Sequence, residues 1–142
     1  MTKYETNNIF ARILRGEIPC HKLHEDVETL AFLDVMPQAD GHSLIIPKAP
    51  SRNLLSADPS ALAALMVTVQ LISRAVMSAF GTGGVLIQQF NEAAAGQTVF
   101  HTHFHVIPRH EGVPLRPHTG QMADTQILKA HAEKIRAALA AQ

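Results

Sequence analysis

Residues 101–105 read His-Thr-His-Phe-His, and the run continues as Val106-Ile107-Pro108. A β-strand sends alternate side chains to the same face. On a strand from Phe100 to Pro108, His101, His103 and His105 would therefore share one face. Thr102, Phe104 and Val106 would point the other way. A neutral imidazole carries one donor and one acceptor, and both need partners when buried. Three in a row are a poor packing solution, and strict alternation makes chance a poor account of them. They point to chemistry.

Two chemistries suit such a row. One is a metal cage, because imidazole is the commonest metal ligand and His-x-His on a strand can offer two nitrogens to one zinc. Three same-face positions span about 13 Å at ~3.3 Å per residue, whereas metal–nitrogen bonds are near ~2 Å. Two of the three can converge on an ion, with His42 or Glu92 as a further ligand. The other is phosphoryl or nucleotidyl transfer. An imidazole attacks phosphorus, forms a covalent phosphoramidate, and water later breaks it. Neighbouring imidazoles hydrogen-bond the charged oxygens and protonate the leaving group, and an ordinary pKa near ~6.5 serves both tasks at neutral pH.

Several elements must position these residues. Residues 7–15 (NNIFARILR) show helical spacing at Ile9, Phe10, Ile13 and Leu14, ended by Gly16 and Pro19. Residues 21–25, 29–35 (TLAFLDV) and 42–47 (HSLIIP) read as strands, the last two joined by the turn residues MPQADG. Asp58 and Pro59 open a long helix whose apolar face would be Leu62, Leu65, Met66, Val69, Ile72 and Val76. Gly81, Gly83 and Gly84 stop it. Residues 85–91 and 100–108 read as strands, with EAAAGQT between them as a loop. After a Pro/Gly-rich stretch over 109–120, a last helix begins near Asp124, with Ile127, Leu128, Ile135 and Leu139 on one face.

Few strands, tight connections and no regular βαβ alternation predict an α+β domain. Its antiparallel sheet would have about five strands. The long helix and the short N-terminal helix would pack on it, with the C-terminal helix in addition and the helices segregated to one side. The 142 residues suggest a single domain, with a core over 8–109 and an extension over 110–142. Residue charges balance at 12 basic and 12 acidic, which argues against a broad grip on nucleic acid or an anionic membrane. No apolar run is expected to reach the ~20 residues of a membrane span. The polar start MTKYETNNIF reads as free of a secretion signal, and the single Cys20 permits no internal disulfide. A cytoplasmic setting is the expectation.

The string from His101 to Ile107 resembles the pattern of the histidine triad (HIT) family, His-φ-His-φ-His-φ-φ with φ apolar; Thr102 is a small departure. Residues 8–19 (NIFARILRGEIP), 32–48 (FLDVMPQADGHSLIIPK) and 91–109 (NEAAAGQTVFHTHFHVIPR) also resemble Hint-like and bacterial members in order and spacing. The resemblance implies a HIT-like fold and a purine nucleotide substrate. His103 would be the nucleophile toward the α-phosphorus. His101 would orient it through a backbone carbonyl, and His105 would contact phosphate oxygens. His42 matches a fourth histidine near the site. Asn91, Gln97 and Thr98 match residues that bind phosphate and leaving group. Asp34 matches the acceptor of the ribose hydroxyls, and Ile9, Phe10, Ile18 and Phe32 match the slot for the base. The implied substrates are nucleoside phosphoramidates or dinucleoside polyphosphates, and a homodimer in which two sheets join is implied as well.

Some bacterial members carry a structural zinc, with a Cys-x-x-Cys near the positions of Asn8 and Ala11 and a histidine shortly after the Pro-Lys pair. This chain has Asn8, Ala11 and Ala49-Pro50-Ser51 there, so no structural zinc is expected. No cofactor is required by the implied reaction, although polyphosphate substrates would bring Mg²⁺. A zinc-dependent hydrolase and a nucleotide-binding regulatory module with little turnover stand as the alternatives. His110, His118 and His131 fit no motif and read as surface or loop residues.

Overall fold

The computed structural model describes residues 3–118 and 121–142. Met1, Thr2, Thr119 and Gly120, which fall in the polar N-terminal stretch and the 109–120 loop, lie outside the described residues. The element order is α1 (Ile9–Leu14), β1 (Lys22–Glu25), β2 (Thr29–Leu33), β3 (Ser43–Pro47), α2 (Pro59–Phe80), β4 (Gly84–Gln88), β5 (Phe104–Arg109) and α3 (Thr125–Ala140). The five strands form one antiparallel sheet in the order β1-β2-β3-β5-β4. The α+β expectation and the strand count agree with this architecture.

Capping chemistry sets the helix starts. The Asp58 side chain accepts from the Ser60 N–H, with Pro59 in the first helical position, and Gly81 ends α2 in a left-handed conformation at φ 61°. Asp124 accepts from the N–H groups of Gln126 and Ile127 at the start of α3. Asn8 caps α1 by accepting from the Ala11 N–H at 2.9 Å.

The sheet has two covered faces, and the helices are not all on one side. Ala31, Leu33, Ile45, Phe104 and Val106 pack against Leu65, Val69, Ile72 and Val76 of α2 and Leu128, Ala132 and Ile135 of α3. The alternate residues Leu30, Phe32, Leu44 and Ile46 face the other way and pack against Phe10 of α1. The expected segregation to one side thus fails for α1, because β2 and β3 are buried at every position and the apolar side chains on both of their faces need cover. Two predicted helix-face residues are exposed, Met66 on α2 and Ile127 on α3; Thr68, Ala75 and Ala132 are buried instead.

By length and mean hydropathy, 22 residues and 1.6, α2 is long and apolar enough to cross a membrane, contrary to the expectation that no run approaches that size. Its buried stripe packs on the sheet and on α3.

A further difference concerns the histidine run. Pairing of β5 with β3 covers only Phe104–Val106, so the expected strand over 100–108 starts at Phe104. Pro47 has no N–H to extend the ladder. Beyond it the contact continues irregularly, with the Thr102 N–H donating to the Ser51 carbonyl at 2.9 Å.

One turn brings the site together. Residues 36–41 connect β2 to β3, and the Asp34 N–H donates to the His42 carbonyl at 3.0 Å. Gly41 has φ +88°, and a Cβ there would lie 2.6 Å from the Phe80 ring, so the turn requires glycine.

Candidate functional site

Phe32, Leu44, His105 and Gln88 stand in register across β2, β3, β5 and β4, on the face away from α2 and α3. Asp34 and His42 are the next residues of the same parity on β2 and β3, and Asp34, His42, His103 and His105 are all buried. The His103 ring lies edge-on to Phe10 at a centroid distance of 4.9 Å and to His105 at 5.1 Å. The His42 and His105 rings lie 5.2 Å apart.

The hydrogen bonds fix which ring nitrogen carries each proton. The His103 Nδ1–H donates to the His101 carbonyl at 2.7 Å, because a carbonyl can only accept. The lone pair of neutral His103 is therefore on Nε2. The Gln38 N–H donates to His42 Nδ1 at 3.0 Å. His42 Nε2 must then carry the proton, and it donates to His105 Nδ1 at 2.9 Å. The remaining proton of neutral His105 is on Nε2. The two rings at the centre thus present one lone pair and one N–H.

The His101 ring is turned out of this centre. Its Nε2–H donates to the Pro47 carbonyl at 2.8 Å, and its Nδ1 accepts from the Tyr4 hydroxyl at 2.7 Å. Its side chain fastens the N-terminal segment and the 47–51 corner, while its carbonyl sets the tautomer of His103.

Burial keeps these imidazoles neutral. It pushes His42 down to about 3, helped by the neighbouring cationic forms of His105, His118 and Arg116. It pushes His105 to about 3, with His103 and His118 adding to the effect. His101 lies at about 4, with burial outweighing the bond to Pro47. His103 is also lowered by burial, against which the His101 carbonyl and the Asp34 carboxylate both act.

Asp34 is placed beside the histidines but is not free. Its Oδ1 accepts from the Met36 N–H at 2.8 Å, and its Oδ2 accepts from His118 Nε2 at 2.6 Å. His42 Nε2 lies 3.5 Å from Oδ2. His118, expected to be a surface or loop residue, belongs to this cluster: its ring lies 5.6 Å from His42 and 6.0 Å from His105. No spacing rule links it to the triad. Of the residues matched to the base slot, Phe10 and Phe32 are buried edge-on to each other, Ile18 is half-buried and Ile9 is exposed.

Asn91, Gln97 and Thr98 lie on the loop that precedes the triad. The Gln97 amide is used up by the protein. Its Oε1 accepts from Asn53 and from the Glu92 N–H, and its Nε2 donates to the carbonyls of Arg52 and Val99. Asn91 exchanges hydrogen bonds with the Gln89 amide and caps the Leu54 N–H. These two amides shape the loop, so any contact they make to a ligand through their side chains requires a rearrangement. Thr98 is exposed. A short 3₁₀ turn over Ala93–Ala95 occupies the expected loop. Glu92 precedes it at φ 74°, ψ 159°, a region almost confined to glycine. Bidentate bonds from Arg52 at 2.8 and 2.9 Å and one from Asn53 at 2.6 Å fasten its carboxylate.

Among the described residues, the side chains that could ligate a metal already serve in hydrogen bonds. Where cysteines would stand, Asn8 donates to the Tyr4 hydroxyl at 3.0 Å, and both ring nitrogens of His101 are engaged. Asp34, His42 and His105 bring ligand-type atoms within 4.8 Å of one another. Binding an ion there would need a lone pair on His42 Nε2, and the Gln38 N–H on Nδ1 forces the proton onto Nε2.

The family model described as "HIT domain" matches residues 15–112. The chain is 48% identical over 103 residues to adenylylsulfatase HINT3 of Arabidopsis thaliana, covering 72% of this chain and 52% of that protein. It therefore spans about half the length of that relative. It is 37% identical over 101 residues to adenosine 5'-monophosphoramidase hnt1 of Schizosaccharomyces pombe, covering 71% and 73% of the two chains. A crystal structure of a Hit-like protein from Bartonella henselae superposes with a TM-score of 0.92 at 50% identity, covering 96% of this chain and 99% of that one. A zinc-bound histidine triad protein from Mycobacterium smegmatis superposes with a TM-score of 0.85 at 33% identity, covering 96% and 95%. With its triad, its five-stranded sheet and these relatives, the chain belongs to the HIT family.

Proposed function

We propose that the chain is a nucleotide hydrolase. It cleaves the bond between the α-phosphate of a purine nucleotide and its leaving group through a nucleotidyl-histidine on His103. The observation that carries this reading is the 2.7 Å bond from His103 Nδ1 to the His101 carbonyl. It leaves the Nε2 lone pair of His103 free for attack, on a ring that burial keeps neutral.

In the first step Nε2 attacks the α-phosphorus, the N–P bond forms and the bond to the leaving group breaks. A departing amine takes up a proton from solvent, whereas sulfate departs as the anion. The imidazolium so formed keeps its Nδ1–H on the His101 carbonyl, which favours its positive charge. The His105 Nε2–H donates to a non-bridging phosphate oxygen. In the second step water attacks phosphorus, gives up a proton to solvent, and the N–P bond breaks to restore neutral His103. The products are the nucleoside monophosphate and the free amine or sulfate, the sum of substrate and one water. The relatives' names, an adenylylsulfatase and an adenosine monophosphoramidase, support an adenylyl group with different departing partners. An amine or sulfate on the phosphate is the substrate class we favour over a dinucleoside polyphosphate. The reading includes a homodimer.

Turnover of adenosine 5'-phosphoramidate, adenylyl sulfate and a diadenosine polyphosphate should be compared with the purified protein. Hydrolysis of the first two at higher kcat/KM than the third is expected. A quenched single turnover should carry an adenylyl mass on the peptide containing His103. No hydrolysis of any of the three would sink the reading.

A further inference from the structure

Asp34, the carboxylate that the family resemblance implies for the ribose hydroxyls, already has a partner within the protein. Asp34 is 5% exposed, and its Oδ2 takes the His118 Nε2–H at 2.6 Å. His118 is more open than the carboxylate it covers, at 36% against 6% side-chain exposure. The other oxygen already accepts the Met36 N–H, so His118 takes the outward acceptor position that a diol would use.

His118 is delivered by residues 114–118, an irregular stretch after β5 that runs along the 36–41 turn. Besides the His118 bond, its hydrogen bonds among the described residues run through Arg116. The Arg116 N–H donates to the Gln38 carbonyl at 2.8 Å and its Nε–H to the Pro37 carbonyl at 3.4 Å. The Arg116 guanidinium meets Asp40 at 3.0 Å, with both side chains more than half exposed. An exposed pair of this kind contributes little. The segment is thus tied down well enough to place His118 and weakly enough to release it.

We propose that His118 is the internal occupant of the ribose subsite, and that nucleotide binding exchanges the His118–Asp34 hydrogen bond for bonds from the ribose hydroxyls. This rests on the nucleotide reading of the site. The exchange keeps the second oxygen of a buried carboxylate hydrogen-bonded in the free protein, where leaving it without a donor would be costly. It also makes His118 a determinant of affinity. A ligand lacking the hydroxyls has nothing to offer Asp34 in return and leaves His118 in place.

The test is calorimetric binding of AMP and of its 2',3'-dideoxy analogue to the wild-type protein, His118→Ala and Arg116→Ala. In His118→Ala the Kd for AMP should fall about tenfold, the order expected when a charge-assisted hydrogen bond no longer has to be broken. The dideoxy analogue should change less than about twofold on the same scale. Arg116→Ala leaves Asp34 and His118 intact and should move AMP affinity in the same direction by a smaller factor. An unchanged or weaker AMP affinity in His118→Ala overturns the exchange. Equal tightening for both ligands also overturns it, since His118 would then only obstruct the cleft. AMP that binds none of the three proteins overturns the nucleotide reading as well.

Discussion

The Nε2–H of His42 donates to Nδ1 of His105 at 2.9 Å, and it can do so only because the Gln38 N–H occupies the other nitrogen of His42. A backbone amide in the 36–41 turn therefore sets the tautomer of a side chain on β5, two bonds away. Replacing His42 with Ala frees His105 to put its proton on either nitrogen. The expected result is a fall in kcat of about 10²-fold, with AMP affinity little changed. His42→Gln, which keeps an N–H donor on a side chain, should recover part of the rate. Steady-state kinetics beside AMP titration decide it. A wild-type kcat in His42→Ala would show that His105 needs no such orientation.

The acid limb of the pH–rate profile follows from the direction of the His103 shift. The nucleophile works as neutral imidazole, and burial lowers its pKa. Activity should stay level as pH falls through the ordinary imidazole value of ~6.5 and be lost only at more acid pH. The measurement is kcat/KM from pH 4.5 to 8 on a substrate that does not itself titrate in that range. A midpoint at or above the ordinary value would contradict the buried, neutral nucleophile.

The same burial makes folding stability depend on pH. His42 and His105 at about 3 and His101 at about 4 bind protons more weakly folded than unfolded. Their contribution is present above the unfolded value of ~6.5 and is lost as pH falls through the window between that value and the folded ones. Each group contributes a slope of about 1.4 kcal/mol per pH unit inside that window. Thermal melts should therefore show Tm dropping steadily from pH 6.5 to pH 4. His42→Gln removes one titrating group and should flatten the slope. Equal slopes in the two proteins would argue against a neutral, buried His42.

Local chemistry made much of this legible in the sequence. Asp58-Pro59 and Gly81 mark the ends of α2, Asp124 marks the start of α3, and the triad with Asp34 and His42 identifies the family. Other features depend on contacts far apart in the chain. Strict alternation put His101, His103 and His105 on one face of a strand. Pro47 ends the ladder early, and the His101 ring bonds to Tyr4, 97 residues away, instead of facing the cluster. The amides of Asn91 and Gln97 looked available to ligand, since nothing local announces that Arg52 and Asn53 arrive to engage that loop. His118 reaches Asp34 across 84 residues through a stretch with no regular structure. Periodicity carries no information about such pairs.

Glu92 stores backbone strain beside the triad. Its φ of 74° with ψ of 159° suits glycine, yet glycine could not make the bonds to Arg52 and Asn53. The two effects can be separated with two variants. Glu92→Ala keeps the strain and loses the clamp, while Glu92→Gly loses the clamp and relieves the strain. Both should melt below wild type, with Glu92→Gly the more stable of the pair by about 5 °C. If Glu92→Ala melts above Glu92→Gly, the backbone at position 92 is not under strain in solution.

The edge of the sheet bears on the proposed homodimer. β4 is a terminal strand of the sheet, so among the described residues no strand pairs with its outer side. Ile87 on this strand is 40% exposed and pairs with Val106, whose side chain packs under α2. On α2 itself Met66 and Val67 are exposed, at 41% and 69%. An open strand edge and apolar side chains on the neighbouring helix are what two copies need to extend one sheet into the other. Val67→Glu places a charge on that surface without touching the buried stripe of α2. Sedimentation equilibrium at micromolar concentration should give a dimer for the wild-type protein and a shift to monomer for Val67→Glu, with dissociation at least about tenfold easier. The circular dichroism of the variant should match wild type, which would confine the effect to association. A wild-type monomer under these conditions would remove the homodimer from the proposed function. A variant that remains fully dimeric would move the interface away from α2.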